Sequence, residues 1–163
     1  MPSRARKFMG VSTSAAILAL ALFASPLAAQ KTILTLSGAV ITFPAPTAAD
    51  YVAGFVNSAT GVTFTLSAQT GTSRTTTVSI RSSSTDLGGG KVIGDLEWRR
   101  SDLATWNNIT LTDAQVDQKI VVRGVLNDPW SNTIFFRMLL NWTTDAPATY
   151  SGNYVITLSQ TVP

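Results

Sequence analysis

Along most of this chain apolar and polar residues alternate one for one, the period of strands that bury one face and wet the other. Residues 61–68 set Val62, Phe64 and Leu66 against Thr63, Thr65 and Ser67. Residues 74–81 set Thr76, Val78 and Ile80 against Thr75, Thr77, Ser79 and Arg81. With the hairpin-like Thr70-Gly71-Thr72 between them, these runs predict an antiparallel pair with one solvated face. Residues 133–142 are the most apolar, with Ile134, Phe136, Met138, Leu140 and Trp142 on one face and Phe135 and Leu139 opposite. That pattern predicts a central, nearly buried strand in which Trp98, from the run 91–99, and Trp142 fill the space between sheets. Further strands are expected at 31–43, broken at Gly38 by a bulge or a change of sheet, and at 51–56, 91–99, 116–126 and 150–162. Residues 82–90 read as a flexible surface loop, and 113–118 have room for a helical turn. Seven to nine short strands and no ten-residue helix beyond the N-terminal region predict an all-β, Greek-key β-sandwich, with a small barrel as the alternative.

The first 29 residues break this pattern. Arg4, Arg6 and Lys7 precede an apolar run from Ala15 to Ala24; Pro26 and the small residues Leu27-Ala28-Ala29 follow. This is the layout of a cleaved signal peptide, and the apolar run is about half of the roughly 20 residues a bilayer span needs. The expected organisation is therefore a signal helix over 1–29 and one domain over 30–163. The product is exported to the periplasm, the cell surface or the medium, with no transmembrane span in the mature chain.

Removing the leader changes the charge. Three of the 12 Lys+Arg residues leave with it, so the remaining nine balance the nine Asp+Glu. The overall basic character belongs to the leader, and no nucleic-acid partner is expected. Thr and Ser supply 34 residues after Ala29, 22 of them Thr. They alternate with Val, Ile, Leu and Phe instead of clustering with Pro, which favours strands over a disordered stalk.

The chain has neither His nor Cys. That excludes Ser-His-Asp and Cys-His catalysis, imidazole or thiolate zinc sites and disulfides. Asp95 and Glu97, two apart on an expected strand, have a spacing a glycosidase pair uses, but the same spacing suits a solvated face whose acids meet Arg99 or Arg100. The loop acids Asp86, Asp102, Asp113, Asp117 and Asp128 form no dense calcium pattern, and Gly88-Gly89-Gly90-Lys91 lacks the spacing of a phosphate loop. No metal, no cofactor and no catalysis are expected. Trp130, beside Pro129 on an expected turn, and Trp106 are the candidate glycan-stacking residues. Asn108-Ile109-Thr110 and Asn141-Trp142-Thr143 match the N-glycosylation pattern by chance, the second on a strand too buried for a glycan.

The stretch 145–158, DAPATYSGNYVITL, resembles the closing strand of bacterial secreted Ig-like, pilin-like and spore-coat-like surface proteins, with Ala148 where Gly is usual. The segments LEWR at 96–99 and Thr105-Trp106 resemble the same modules. The resemblance implies an Ig-like sandwich in which Tyr150 is the tyrosine corner, its hydroxyl returned to an upstream backbone group. It also implies a structural or interaction role, with itself or other surface proteins as partners. Residues 30–36, alternating and nearly uncharged, are the segment that pairs with a neighbour's open edge, unless they form the first strand of their own sandwich. A carbohydrate-binding module is the other reading.

Overall fold

The computed structural model describes residues 32–38, 40–68, 73–121, 130–145, 148, 150–152 and 154–161. The signal-peptide expectation for 1–29 and the strand end at 122–126 lie outside the described residues.

The long first run divides, as Gly38 predicts. Strand β1 (Thr32–Leu36) joins one sheet and β2 (Ile41–Thr42) another. The strand expected at 51–56 is corrected: helix α1 (Ala48–Ala53) occupies its first half and β3 (Phe55–Asn57) is shorter. The cause is local. Thr47 and Asp50 close a capping box at the helix start, and Gly54, with φ of 80°, ends it.

Strands β4 (Val62–Ala68) and β5 (Arg74–Ser82) bury the predicted faces. They are not partners, however. Each lies in a different sheet, and the turn expected at 70–72 lies outside the described residues. The supposed loop 82–90 contains β6 (Asp86–Gly88), which pairs with β7 (Lys91–Val92) and drives Leu87 into the core. Gly88, Gly89 and Gly90 all have positive φ at the tip, and a Cβ on Gly89 would stand 3.2 Å from the Tyr150 ring.

The single strand expected at 91–99 is also corrected. A 3-10 turn (Ile93–Asp95) separates β7 from β8 (Leu96–Arg100), and Val92 is exposed. Strand β9 (Asn107–Asn108) follows, and β10 (Ala114–Val121) replaces the helical turn expected at 113–118. Strand β11 (Trp130–Leu139) is central as predicted, with Ile134, Phe136 and Met138 fully buried. It stops at Leu139, so Trp142 falls in the following turn, 59% exposed and stacked on Tyr51 at 4.5 Å. Trp142 is not core, and Asn141 and Thr143 are exposed, not in a buried strand. Strands β12 (Ser151–Gly152) and β13 (Tyr154–Thr161) close the chain.

The result is mostly β and antiparallel. Six strands form the larger sheet in the order β1-β4-β11-β8-β9, with β3 also on β11; three form the smaller one, β10-β5-β13. Inward residues of both sheets share one core: Phe64, Leu66, Leu96 and Phe136 from the larger, Val78, Ile80 and Val121 from the smaller. Among the described residues no helix is long and apolar enough to cross a membrane.

Candidate functional site

Two surfaces are built by this arrangement. The first is an edge. Strand β13 pairs with β5 on one side, and among the described residues no strand pairs with the other side. Its inward side chains Tyr154, Ile156 and Leu158 are only partly buried, whereas Val78 and Ile80 beside them on β5 are fully buried. On the larger sheet, the inward Leu34 and Leu36 of edge strand β1 are likewise only partly buried. The Tyr154 hydroxyl donates to Gly38 O at 2.7 Å, tying the start of β13 to the chain just beyond β1.

The opposite edge strand, β10, is tied across to the larger sheet. From the end of β8, Arg100 donates to Val116 O at 3.2 Å and to Asp117 Oδ1 at 2.6 Å on β10. Trp130 Nε1 donates to Asp117 Oδ2 at 2.9 Å. Behind this clamp Val116 and Val121 are buried. One side of the layer pair is sealed by charge-assisted hydrogen bonds; the other, between β1 and β13, has apolar side chains and an unpaired backbone edge.

The second surface is the outer face of the larger sheet. Alternation on β8 and β11 turns Glu97, Arg99, Phe135 and Arg137 outward. The segment after β8 returns Trp106 over them, and β3 adds Phe55 and Asn57. With Ser58 they line a groove of about 310 Å³. The Arg137 guanidinium lies 4.6 Å from the Trp106 ring and 4.8 Å from Phe55. Arg99 lies 5.1 Å from Trp106 and 5.4 Å from Phe135. Cations and aromatic faces therefore alternate across the sheet, each contact stabilising the other's placement. Arg137 is paired to Glu97; Arg99 donates to Leu103 O at 2.9 Å and has no carboxylate partner among the described residues.

The structure divides the sequence candidates. Trp106 stands in the groove. Trp130 is the first residue of β11 and not part of a turn; its N–H is committed to Asp117 and its ring meets Phe64 edge-on at 5.8 Å. Asp95 and Glu97 do not share a strand face, because Asp95 belongs to the 3-10 turn and accepts from Val92 N at 3.0 Å. Glu97 meets Arg137, not Arg99 or Arg100. Among the described residues no three acidic side chains group as metal ligands.

Tyr150 is buried, and its hydroxyl shares a hydrogen bond with the Tyr51 side chain. Burial first, then Tyr51 and the Asp145 charge, push its phenol up to about 12. Tyr154 also sends its hydroxyl to an upstream carbonyl, that of Gly38. Sequence reasoning missed both roles of arginine: the clamp at Arg100 and the groove at Arg99 and Arg137. Their phase relative to apolar neighbours was a usable signal, since Arg100 follows Leu96 and Trp98 on the inward face.

Below the hairpin tip, Lys91 and Asp145 form a buried ion pair, 3% and 6% exposed. The Lys91 ammonium lies 5.8 Å from the Tyr150 ring. Asp145 also accepts from Asn141 N at 2.6 Å and from Thr144 Oγ1 at 3.1 Å. Burial alone would raise its carboxyl, but these donors and the Lys91 charge outweigh that and hold it below the ordinary 3.8.

Compared with protein-family models, with curated proteins and with solved structures, the chain matches none.

Proposed function

We propose that this protein is an exported, non-catalytic structural subunit that assembles by β-strand addition at the free edge of β13. The single observation that carries the reading is the partly buried row Tyr154, Ile156 and Leu158 beside an unpaired strand edge.

The strand order supports it. Immunoglobulin-like sandwiches place strands A-B-E-D in one sheet and C-F-G in the other. Here β1-β4-β11-β8 follows the first order, and β5 with β13 takes the places of C and F. The place of G, next to F, is the edge that no strand covers among the described residues. One feature departs from that pattern: β10 lies beside β5 where variable-type domains carry C′, yet it follows β8 in sequence. An Ig-like sandwich whose G place is open exposes apolar side chains that a neighbour's strand covers, as in the donor-strand pairing of pilins.

The donor in this reading is the segment 30–36 of a second copy. In the isolated chain Thr32–Leu36 is β1, whose strand partner among the described residues is β4. Moving it to a neighbour's β13 exchanges one antiparallel partner for another and covers a second apolar row, a form of segment swapping.

The test is the mass of the mature protein across concentration, with and without residues 30–37, and for Ile156→Lys. Oligomers that vanish in both variants support the reading. A chain that stays monomeric at every concentration and gains no thermal stability from an added peptide of residues 30–37 overturns it.

A further inference from the structure

The outer groove is independent of the β13 edge, and its chemistry points to a different ligand. We propose that it binds an acidic polysaccharide, a chain of uronate sugars, with Arg99 as the carboxylate-binding residue and Trp106 and Phe55 as apolar walls for the sugar rings.

Charge sets the sign of the ligand. Two guanidinium groups face the groove, and only Arg137 is matched by a carboxylate. Arg99 spends one nitrogen on Leu103 O, which fixes the side chain and leaves the other N–H donors to meet a carboxylate in the groove. A planar guanidinium held against two rings is preorganised for a two-point hydrogen bond, at less entropic cost than a free surface arginine.

The walls set the shape. Trp106, Phe55 and Phe135 are flat apolar surfaces spaced along an open trough, suited to successive rings of a chain. Polar groups stand at its rim: the Asn57 carboxamide makes no hydrogen bond among the described residues, and Ser58 Oγ accepts from Phe136 N at 3.4 Å while its own hydrogen is available to a ligand. A peptide of Asp and Glu alone would satisfy Arg99 but has no rings to lie on the aromatic walls. A neutral glycan would use the walls and leave Arg99 without its counter-charge.

The experiment is affinity electrophoresis of the mature protein in gels containing polygalacturonate, alginate, dextran or poly-glutamate, with titrations followed by tryptophan fluorescence. Polygalacturonate or alginate should retard the protein, with weaker binding at higher salt and at least tenfold weaker binding in Arg99→Gln, Trp106→Ala and, to a smaller degree, Asn57→Ala. Wild-type unfolding midpoints for Arg99→Gln and Asn57→Ala would separate lost binding from lost folding. Equal binding of dextran overturns the acidic specificity, equal binding of poly-glutamate makes the site a mere charge patch, and no retardation by any polymer removes the ligand altogether. None of these outcomes bears on assembly through β13, which is read separately from mass.

Discussion

Replacing Asp145 with Asn should remove about 3–5 kcal/mol of folding stability, although the side chain keeps its shape. With its oxygen in the place of Oδ2 the amide still accepts from Asn141 N, and its NH2, in the place of Oδ1, can donate to the Thr144 hydroxyl. The loss is the negative charge that answers Lys91, whose side chain is 3% exposed. An uncompensated buried cation costs about 3–5 kcal/mol. Against a total of about 5–15 kcal/mol for a domain, the substitution consumes roughly a fifth or more. Urea unfolding of the protein, followed by tryptophan fluorescence, measures it. The partner variant Lys91→Met and the double variant complete a cycle, in which the double variant should be more stable than Asp145→Asn by at least about 2 kcal/mol. A loss below about 1 kcal/mol, or strictly additive single costs, would refute the ion pair as the fastening of the β6–β7 hairpin.

The same carboxyl gives a pH signature. Its folded-state pKa lies below the ordinary 3.8, so its stabilisation is complete at neutral pH and is lost as pH falls through the folded value; Asp145→Asn should flatten that part of the acid limb of wild-type stability. Gly61→Ala should cost about 1–3 kcal/mol by thermal or urea unfolding, because the added Cβ would meet Thr133 Cγ2 at 2.5 Å and the Phe135 ring at 3.0 Å; an unchanged midpoint contradicts the close packing. Trp130→Phe should cost about 1 kcal/mol by leaving Asp117 short of a donor, and should leave polyuronate binding as in wild type, since its ring is not in the groove. Leu158→Lys should keep the monomer folded, its ammonium reaching water from a partly buried site, while abolishing oligomers seen by mass.

The strands were legible where burial is one-sided. Val62, Phe64 and Leu66 and then Val78 and Ile80 read correctly because each has a wet face opposite. Pairing was not legible, because alternation reports which face is buried and says nothing of which sheet a strand joins. That is why β4 and β5 looked like a hairpin. Trp142 misled for a related reason: it continues the phase of β11 past Leu140, but the chain turns at Asn141, where Asn141 Oδ1 accepts from Thr143 N at 2.9 Å. Helix α1 was written in its caps, Thr47 and Asp50 at one end and Gly54 at the other, and was masked by the β-branched Val52 and Val56 around it. Of the groove, only Trp106 was foreseen. Its other members come from three separate strands, and their meeting depends on sheet order.

The position of β13 in the chain also fixes when folding can finish. Tyr154 pairs with Ser82 and Thr161 with Thr75, so the smaller sheet gains its edge strand only after nearly the whole described chain is present. Non-local pairings of this kind form late and slowly, because a long loop must close before any hydrogen bond rewards it. A chain that cannot complete its fold early keeps the apolar faces of its strands open to other chains for longer.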